Sequence, residues 1–221
     1  DVFGTVDEDG FRTIREVYLE VPKKNGKSTL AAGIALLGLL ADREPGAEVY
    51  SAAAAKDQAA LVFREACSMV DQSPLLKSKL KVLGAVKKIV KRDDPSAFYA
   101  AISADGDVQD GINPHMVVAD ELHRWKVEKA LGLHDILTKG MIMRRQPLWF
   151  GITTAGEEEG SPLAWRYHQK AEMQAKGAIS EPTFYGKIFA CPANVDWQSR
   201  EARVLANPSH EDNGGPLKDK A

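Results

Sequence analysis

The sequence predicts an α/β fold in which a parallel β-sheet is flanked by helices on both faces, giving three layers. Two observations predict it. Short apolar segments with a strand-like pattern alternate along the 221 residues with longer segments of helical periodicity. The apolar share of 44% and the charged share of 27% are also those of a folded chain rather than a disordered one.

The first strand is followed closely by the first helix. Residues 11–21 alternate and are rich in β-branched and aromatic types, which predicts a strand. Residues 28–42 (STLAAGIALLGLLAD) have helical spacing, and the Pro-Gly pair within residues 44–46 ends this helix. The side chains that this spacing places on one helix face are Leu30, Ile34, Leu37 and Ala41.

Further strands and a second helix continue the alternation. Residues 48–51 predict a short strand, and residues 59–70 have apolar side chains at helical spacing up to a stop near Pro74. Residues 80–103 contain short strand-like pieces, and the pattern weakens after about residue 185. Two more apolar runs follow the strand pattern, at 115–121 and 148–156.

Charge and cysteine content exclude several protein classes. The formal net charge is −2, so the molecule as a whole is not a basic nucleic-acid binder, and any attraction to DNA must come from a local patch. The two cysteines, Cys67 and Cys191, lie far apart without ligand spacing, which argues against structural zinc. The longest apolar run, residues 30–41, is too short to cross a bilayer, so we expect no membrane association.

The segment VPKKNGKST (21–29) joins the first strand to the first helix. Gly26, Lys27 and Ser28 complete the second half of the phosphate-binding pattern G-x-x-x-x-G-K-[ST], but Val21 stands where its first glycine belongs. Gly26 allows close backbone approach, Lys27 supplies an ammonium group and Ser28 a hydroxyl for Mg²⁺. The alternative is a lysine-rich turn without a ligand.

A second segment, MVVADE (116–121), is an apolar run that ends in two acids. In nucleotide hydrolases of the P-loop class the first acid at such a position holds Mg²⁺. The next is placed to orient or deprotonate the attacking water. These roles fall on Asp120 and Glu121, and the two segments together predict a P-loop NTPase fold of the RecA/ASCE-like type. His115 and His123 flank this run without a partner at ligand spacing, and we interpret both as structural.

A third segment, GITTAG (151–156), ends another apolar run in small polar residues. Hydroxyl groups at the carboxyl end of a strand beside the acids could sense the γ-phosphate. The alternative is a strand that simply runs into a glycine turn.

VPKKNGKST, EVYSAAAAKDQA, DGINPHMVVADELHRW and RRQPLWFGITTAGEEEGSP, in this order and spacing, resemble the large terminase subunit of tailed bacteriophages. The resemblance covers residues from about 10 to 208. It implies an ATPase domain that powers the translocation of double-stranded DNA into the procapsid, with a metal-dependent nuclease in a separate C-terminal domain. The family also tolerates other residues at the head of the loop, which accounts for Val21.

The resemblance also implies roles for single residues. Lys27 and Glu121 are expected to be catalytic, Ser28 and Asp120 to hold Mg²⁺, and Lys23 stands where some relatives carry an arginine proposed to touch the γ-phosphate. A neighbouring subunit in some relatives supplies a further arginine, for which Arg124, Arg144 and Arg145 are candidates here. The expected ATP-binding loop comprises Pro22, Lys23, Lys24, Asn25, Gly26, Lys27, Ser28 and Thr29, and the expected coupling motif comprises Thr153, Thr154 and Ala155.

The same resemblance predicts organisation and partners. Residues 1–205 are expected to form the ATPase domain without its extreme N-terminus, where an adenine-contacting motif would lie, and residues 206–221 a linker towards a nuclease domain beyond the chain. The expected partners are double-stranded DNA, the portal protein, the small terminase subunit and further copies in a ring on the procapsid. We expect a monomer in isolation, with weak or no ATP hydrolysis alone, encoded by a phage or prophage and acting in the bacterial host cytoplasm.

One basic stretch, residues 77–92, holds seven Lys and Arg residues in sixteen positions. A cluster of this kind can follow a phosphate backbone, in a salt-dependent manner. The alternative is a set of charged faces on exposed short strands. The candidates for DNA contact are Lys87, Lys88, Lys91 and Arg92.

Two other functions stay open at this point. One is a helicase-type, DNA-dependent P-loop ATPase that does no packaging. The other is a non-catalytic oligomerisation module with a decayed loop, against which the joint presence of Lys27, Ser28, Asp120 and Glu121 speaks.

Overall fold

A computed structural model describes residues 1–105, 111–126, 128–157 and 159–218. These residues form one eight-stranded sheet with helices on both faces. The strands are β1 (Glu16–Glu20), β2 (Glu48–Ala53), β3 (Leu80–Leu83), β4 (Lys88–Lys91), β5 (Phe98–Ser103), β6 (Pro114–Asp120), β7 (Leu148–Thr153) and β8 (Phe184–Ile188). The longer helices are α1 (Lys27–Leu40), α2 (Lys56–Gln72), α3 (Pro74–Lys79), α4 (Glu128–Gly140), α5 (Pro162–Ala175) and α6 (Arg200–Ala206).

The strand order is β3-β4-β5-β2-β6-β7-β1-β8. The six strands from β5 to β8 in this order are parallel, which confirms the predicted parallel sheet. Strand β4 runs antiparallel to both β3 and β5, an edge that the sequence pattern did not predict. Strands β1, β7 and β6 are parallel neighbours in this order. The loops after β1 and β6 therefore emerge at the same end of the sheet, one on either side of β7.

Two apolar layers enclose the sheet and confirm the three-layer prediction. Helices α1 and α2 cover one face through side chains such as Ala35, Leu39 and Val62. Helices α4 and α5 cover the other, where Leu137 and Tyr167 pack against β1, β6 and β7. Within the described residues, no helix combines the length and the apolar character needed to cross a membrane.

Only part of the predicted face of α1 is buried. Ile34 of that face is in the core, but Leu30 is 46% exposed, whereas Ala31, Ala35 and Leu39 are buried against the sheet. The prediction was wrong for Leu30 because α1 is apolar almost all round, so spacing alone does not distinguish its faces. Small alanines allow close approach to the strands, and Leu30 is left on the outer side. Strand β1 is also shorter than the predicted strand over residues 11–21.

A polar cluster lies at the amino end of the central strands. Asp42 Oδ2 accepts a hydrogen bond from Arg12 Nη1 and another from His115 Nε2, each 2.8 Å long. Gln146 Nε2 donates to the Asp42 backbone oxygen at 2.8 Å, and Arg12 Nη2 donates to the Gln146 oxygen at 2.5 Å. These groups, which we call the amino-end cluster, join the segments before β1 and β7 and the start of β6 to the end of α1.

Candidate active site

The loop between β1 and α1 is shaped by backbone conformation and by Asn25. Gly26 is left-handed, with φ of 72°, a conformation that favours glycine. The Asn25 side-chain amide donates to the backbone oxygens of Pro22 and Lys23, each at 3.3 Å. Val21 is 4% exposed and its N–H donates to Thr153 O at 2.9 Å. At the position of the missing glycine the chain therefore extends the pairing with β7, which a buried valine suits.

Lys27 is the first residue of α1, and its side chain turns back into this loop. Its Nζ donates to Val21 O at 3.4 Å and Pro22 O at 3.3 Å, which are long hydrogen bonds. Burial lowers the pKa of Lys27, while the charges of Glu121 and Asp120 act in the opposite direction. The ammonium group is thus held in place by weak neutral acceptors and lies within reach of two acids.

Asp120 ends β6 and is 1% exposed. Its Oδ2 accepts from Gln58 Nε2 at 3.3 Å, but its buried Oδ1 has no hydrogen-bond partner among the described residues. Burial, followed by the charge of Glu121, raises the pKa of Asp120 to about 6. A buried carboxylate oxygen without a partner is costly, and it fits a site for a cation.

Glu121 follows in a left-handed conformation, with φ of 53° and ψ of 50°. This region is rarely populated by residues other than glycine and, at functional sites, is a form of stored strain. Two hydrogen bonds hold it: Arg124 N–H donates to Glu121 O at 2.8 Å, and the buried Trp125 indole donates to Asp120 O at 3.1 Å. This left-handed conformation turns the chain sharply at the end of β6.

The turn after Glu121 also depends on Gly151 in β7. A Cβ atom built on Gly151 would lie 2.5 Å from Leu122 Cδ1, closer than real contacts allow. Gly151 pairs with Ala119 of β6 and Tyr18 of β1. The glycine therefore makes room for the fully buried Leu122 directly after Glu121.

The end of β7 brings two of the predicted coupling residues beside the acids. The Thr153 hydroxyl is buried, donates to Thr154 O at 2.8 Å and accepts from the His123 N–H at 3.1 Å. Thr154 Oγ1 lies 3.3 Å from His123 Nδ1. Ala155 is exposed. Thr153 and Thr154 thus meet Glu121 through His123, for which the sequence predicts only a structural role.

Other predicted residues lie at the rim or elsewhere. Lys23 and Lys24 are exposed, and Ser28 is half-buried at the start of α1. Thr29 Oγ1 lies 3.5 Å from Glu65 Oε2. Lys23 is near enough to lower the pKa of Lys27, although burial and the two acids contribute more.

Three arginines are candidates for the one that a subunit supplies to the site of its neighbour. Arg144 has several partners within the domain. It donates to the backbone oxygens of Asn113 and Gly46 at the amino end of the strands, opposite to the loop, and pairs with Glu44 at 3.1 Å. Arg145 pairs with Asp9 at 3.2 Å near the same end. Arg124 is exposed three positions after Glu121.

The segment after α6 contacts the phosphate loop. Asn25 Nδ2 donates to Asn207 Oδ1 at 2.8 Å, and the Ser209 N–H donates to Asn25 Oδ1 at 3.0 Å. His210 is 2% exposed, and residues Glu211–Asn213 form a short 3-10 helix. No local pattern predicts this contact, since residues 206–221 have the polar composition typical of a linker. Gln58 was missed for a similar reason, because a lone glutamine on a helix has no pattern.

Most of the basic side chains proposed for DNA have partners within the domain. Lys88 Nζ lies 4.1 Å from the centre of the Phe98 ring, and Lys91 Nζ lies 3.8 Å from Asp93 Oδ1. Arg92 Nε donates to the backbone oxygens of Lys77 and Leu80, each at 3.0 Å. Lys87 is exposed, in a left-handed turn between β3 and β4. The arrangement favours the interpretation as charged faces of short strands.

A groove of about 840 Å³ runs along α1 from the phosphate loop, between this helix, the N-terminal residues and the sheet. Gly26 and Thr29 line its loop end, and Phe3, Leu30 and Tyr185 are among its apolar walls.

Both the sequence and the fold of this chain are similar to those of known proteins. A family model described as "Terminase large subunit, ATPase domain" matches residues 1–172. The chain is 26% identical over 192 residues to the terminase large subunit of Enterobacteria phage HK97, covering 86% of this chain and 36% of that protein. It is 32% identical over 100 residues to protein YmfN of Escherichia coli K12, covering 45% of this chain and 21% of that protein.

Two solved structures have the same fold. The crystal structure of the HK97 large terminase matches with a TM-score of 0.75 at 26% identity, covering 89% of this chain and 40% of that chain. The ATPase domain of the Thermus phage P74-26 large terminase matches with a TM-score of 0.60 at 18% identity, covering 81% of this chain and 77% of that one. The chain thus spans well under half of the HK97 protein, but most of an isolated ATPase domain.

Proposed function

The chain belongs to the family of terminase large-subunit ATPase domains, and from that premise we propose that it binds and hydrolyses ATP with Mg²⁺ to move double-stranded DNA. One observation supports this most directly. Lys27, Asp120 and Glu121 come together at the carboxyl end of the sheet, and a buried oxygen of Asp120 has no partner among the described residues. An ammonium group, an unsatisfied carboxylate and a second carboxylate are the groups that phosphoryl transfer to water requires.

Mg²⁺ fits the donor set that this site offers. Asp120 would hold it through its unpartnered oxygen, together with the Ser28 hydroxyl. Among the described residues there is no cluster of three or more His, Cys, Asp or Glu able to hold a metal. A single carboxylate is nonetheless sufficient, because Mg²⁺ in such sites takes its remaining ligands from phosphates and water. When bound, the ion would neutralise charge on the phosphates.

The protein side chains would supply position and charge. Lys27 already points at neutral carbonyl oxygens through long hydrogen bonds, so a phosphate oxygen would be a stronger acceptor for its ammonium group. The left-handed Gly26 allows the backbone to approach the phosphates without a side chain between them. Glu121 would orient the attacking water and accept its proton. Lys23 is proposed to add positive charge from the rim, without the bidentate geometry of an arginine.

The groove along α1 is proposed to receive the nucleoside. Gly26 and Thr29 belong both to the phosphate loop and to the loop end of the groove, so the two spaces are continuous. The aromatic walls provided by Phe3 and Tyr185 suit a purine ring.

The role of the whole protein is part of the same proposal. We propose that the domain acts as a DNA-packaging motor with a portal protein and a small terminase subunit, as a homo-oligomeric ring on the procapsid in the host cytoplasm. Residues 1–205 would form the motor and residues 206–221 its connection to a nuclease domain. Thr153, Thr154 and Ala155 would couple hydrolysis to movement. Lys87 is the most available of the proposed DNA-contacting residues, because the other three have partners within the domain.

Replacing the proposed base tests this function. Glu121→Gln keeps size and hydrogen bonding but removes the negative charge, so we expect ATP binding within about threefold of wild type and a loss of turnover of about 10²-fold or more. Turnover and calorimetric binding are measured on the same preparations, at rising protein concentration so that copies can associate. A glutamine variant that hydrolyses ATP at the wild-type rate would contradict the assignment of Glu121.

A further inference from the structure

We propose that His123 is a positioning residue, which fixes the direction of the Glu121 carboxylate by linking it to the threonines at the end of β7. The inference rests on the proposed function, since it concerns the same site. The resemblance to known sequences gave His123 no role, and its position after the acids suggested only a structural one.

The inference rests on the contacts of one nitrogen atom, His123 Nδ1. His123 Nδ1 lies 3.2 Å from Glu121 Oε2, 3.0 Å from Thr153 Oγ1 and 3.3 Å from Thr154 Oγ1. It therefore contacts the proposed base and both threonines of the adjacent strand end at once. A rotation of the carboxylate away from this nitrogen would break a contact that the strand end helps to hold.

The histidine itself is fixed from three sides. Its backbone N–H donates to Thr153 Oγ1 at 3.1 Å, and its backbone oxygen accepts from the Ser161 hydroxyl at 2.7 Å. Ser161 is 1% exposed and directly precedes α5. A Cβ atom on Gly156 would lie 3.2 Å from His123 Cβ, so the chain packs closely on the side chain as well. A side chain held in this way can hold another in turn.

The hydrogen bonds also specify which nitrogen carries the proton. Thr153 donates its own proton to Thr154 O at 2.8 Å, so towards His123 its oxygen is an acceptor. The Glu121 carboxylate is an acceptor as well. The hydrogen bond with Thr153 therefore requires a proton on Nδ1, which also suits the close contact with the Glu121 carboxylate and leaves Nε2 as the unprotonated nitrogen of the neutral ring. Burial lowers the pKa of His123, although Glu121 acts to raise it.

A pair of substitutions separates positioning from simple packing. The side-chain amide of Asn can stand where Nδ1 stands, whereas that of Gln reaches the position of Nε2. We expect His123→Ala and His123→Gln to lower kcat by about 10- to 100-fold with KM within about threefold, since misplacing a reacting group costs rates of this size. His123→Asn should retain kcat within about fivefold of wild type.

Two controls accompany this series. His134 is also a buried histidine, but it packs between Trp149 and Tyr167 under α4 and does not contact Glu121, so His134→Ala should affect stability and leave kcat unchanged. Thr153→Val removes an acceptor of Nδ1, and its effect on kcat should be less than multiplicative with that of His123→Ala. Equal kcat for the Asn and Gln variants, or wild-type kcat for His123→Ala, would overturn the proposal.

A measurement without turnover separates this proposal from the proposed function. In protein labelled with ¹⁵N-histidine, the His123 ring signals, assigned by their loss in His123→Asn, should show the Nδ1–H form. The Nε2–H form would overturn the proposal even in an active enzyme. Conversely, a chain that shows the Nδ1–H form but neither binds nor hydrolyses ATP would refute the proposed function and leave the contact itself intact.

Discussion

Asp42 and Asp120 lie at opposite ends of the parallel sheet, and both are largely withdrawn from solvent. At the amino end, burial alone would raise the pKa of Asp42, but the hydrogen bonds from His115 and Arg12 hold it below its usual range. At the carboxyl end, burial and the neighbouring Glu121 raise the pKa of Asp120 to about 6. The same side chain is thus satisfied within the protein at one end and left unsatisfied at the other.

We infer from this difference that the amino end of the sheet serves stability and that the carboxyl end serves binding. Buried carboxylates are normally paired, because an unpaired one costs several kcal/mol. The amino-end cluster meets this requirement with groups from four separate segments. The carboxyl end does not, and it adds a left-handed Glu121 and a lysine on weak acceptors. Unsatisfied groups and strain at one place are typical of a site that is completed by a ligand.

We expect the largest effect from removing the carboxylate of the amino-end cluster. Asp42→Ala leaves Arg12, which is 3% exposed, without its carboxylate, so we expect a loss of about 3–5 kcal/mol in the free energy of unfolding. Urea denaturation at neutral pH measures it. Asp9→Asn is the matched control, because it removes a carboxylate paired with an arginine on the surface, where the change should stay below about 1 kcal/mol. Equal effects of the two substitutions would show that the cluster does not stabilise the fold.

At the carboxyl end of the sheet, we expect the removal of a carboxylate to increase the stability of the protein. Asp120→Asn removes a buried carboxylate whose pKa is raised to about 6 by burial and by Glu121, so ionising it at neutral pH costs about 2–3 kcal/mol. We expect the nucleotide-free variant to be more stable than wild type by about 2–3 kcal/mol at pH 7, and to lose the response to Mg²⁺. A destabilised variant would show that the carboxylate has a partner in solution.

The two acids should also differ in their pH dependence. The native state holds a proton on Asp120 more tightly than the unfolded state, so the cost of its ionisation is absent below about pH 4, grows up to about pH 6 and is complete above. For Asp42, whose native pKa is lowered, the stabilisation is complete above about pH 4 and is lost only as the pH falls through the native pKa. Unfolding of wild type and of the two variants between about pH 2 and 7.5 measures both curves. A stability gain of Asp120→Asn that does not shrink between pH 6 and pH 4 would contradict the account.

We expect a smaller effect from a substitution that displaces the turn carrying Glu121. Gly151→Ala places a methyl group against Leu122, so we expect the turn to shift and kcat to fall by about tenfold or more with little change in ATP affinity. Gly132→Ala, within α4, is the control, because nothing lies within 4 Å of the added atom. A kcat unaffected by Gly151→Ala would show that the turn tolerates displacement.

The sequence predicted the parts of this molecule that have a local pattern. Strands β6 and β7 are continuous apolar runs, and Gly26-Lys27-Ser28 has the spacing of a phosphate loop, so both could be predicted. The buried face of α1 could not, because Leu30 and Ala31 are both apolar and only the packed sheet distinguishes them. The contacts of His123 with Thr153, of Gln58 with Asp120 and of Asn207 with Asn25 were missed because they join residues far apart in sequence, where no local pattern predicts them.

Calorimetric titration of Mg²⁺·ATP into wild type and Lys27→Ala tests the central claim most directly, because binding does not depend on the association of copies or on turnover. If the carboxyl end of the sheet is incomplete without a nucleotide, wild type should bind one ATP per chain saturably. We expect at least tenfold weaker binding to Lys27→Ala, and unchanged binding to Lys87→Ala at the opposite edge of the sheet. Equal affinity of wild type and Lys27→Ala for Mg²⁺·ATP would contradict this claim.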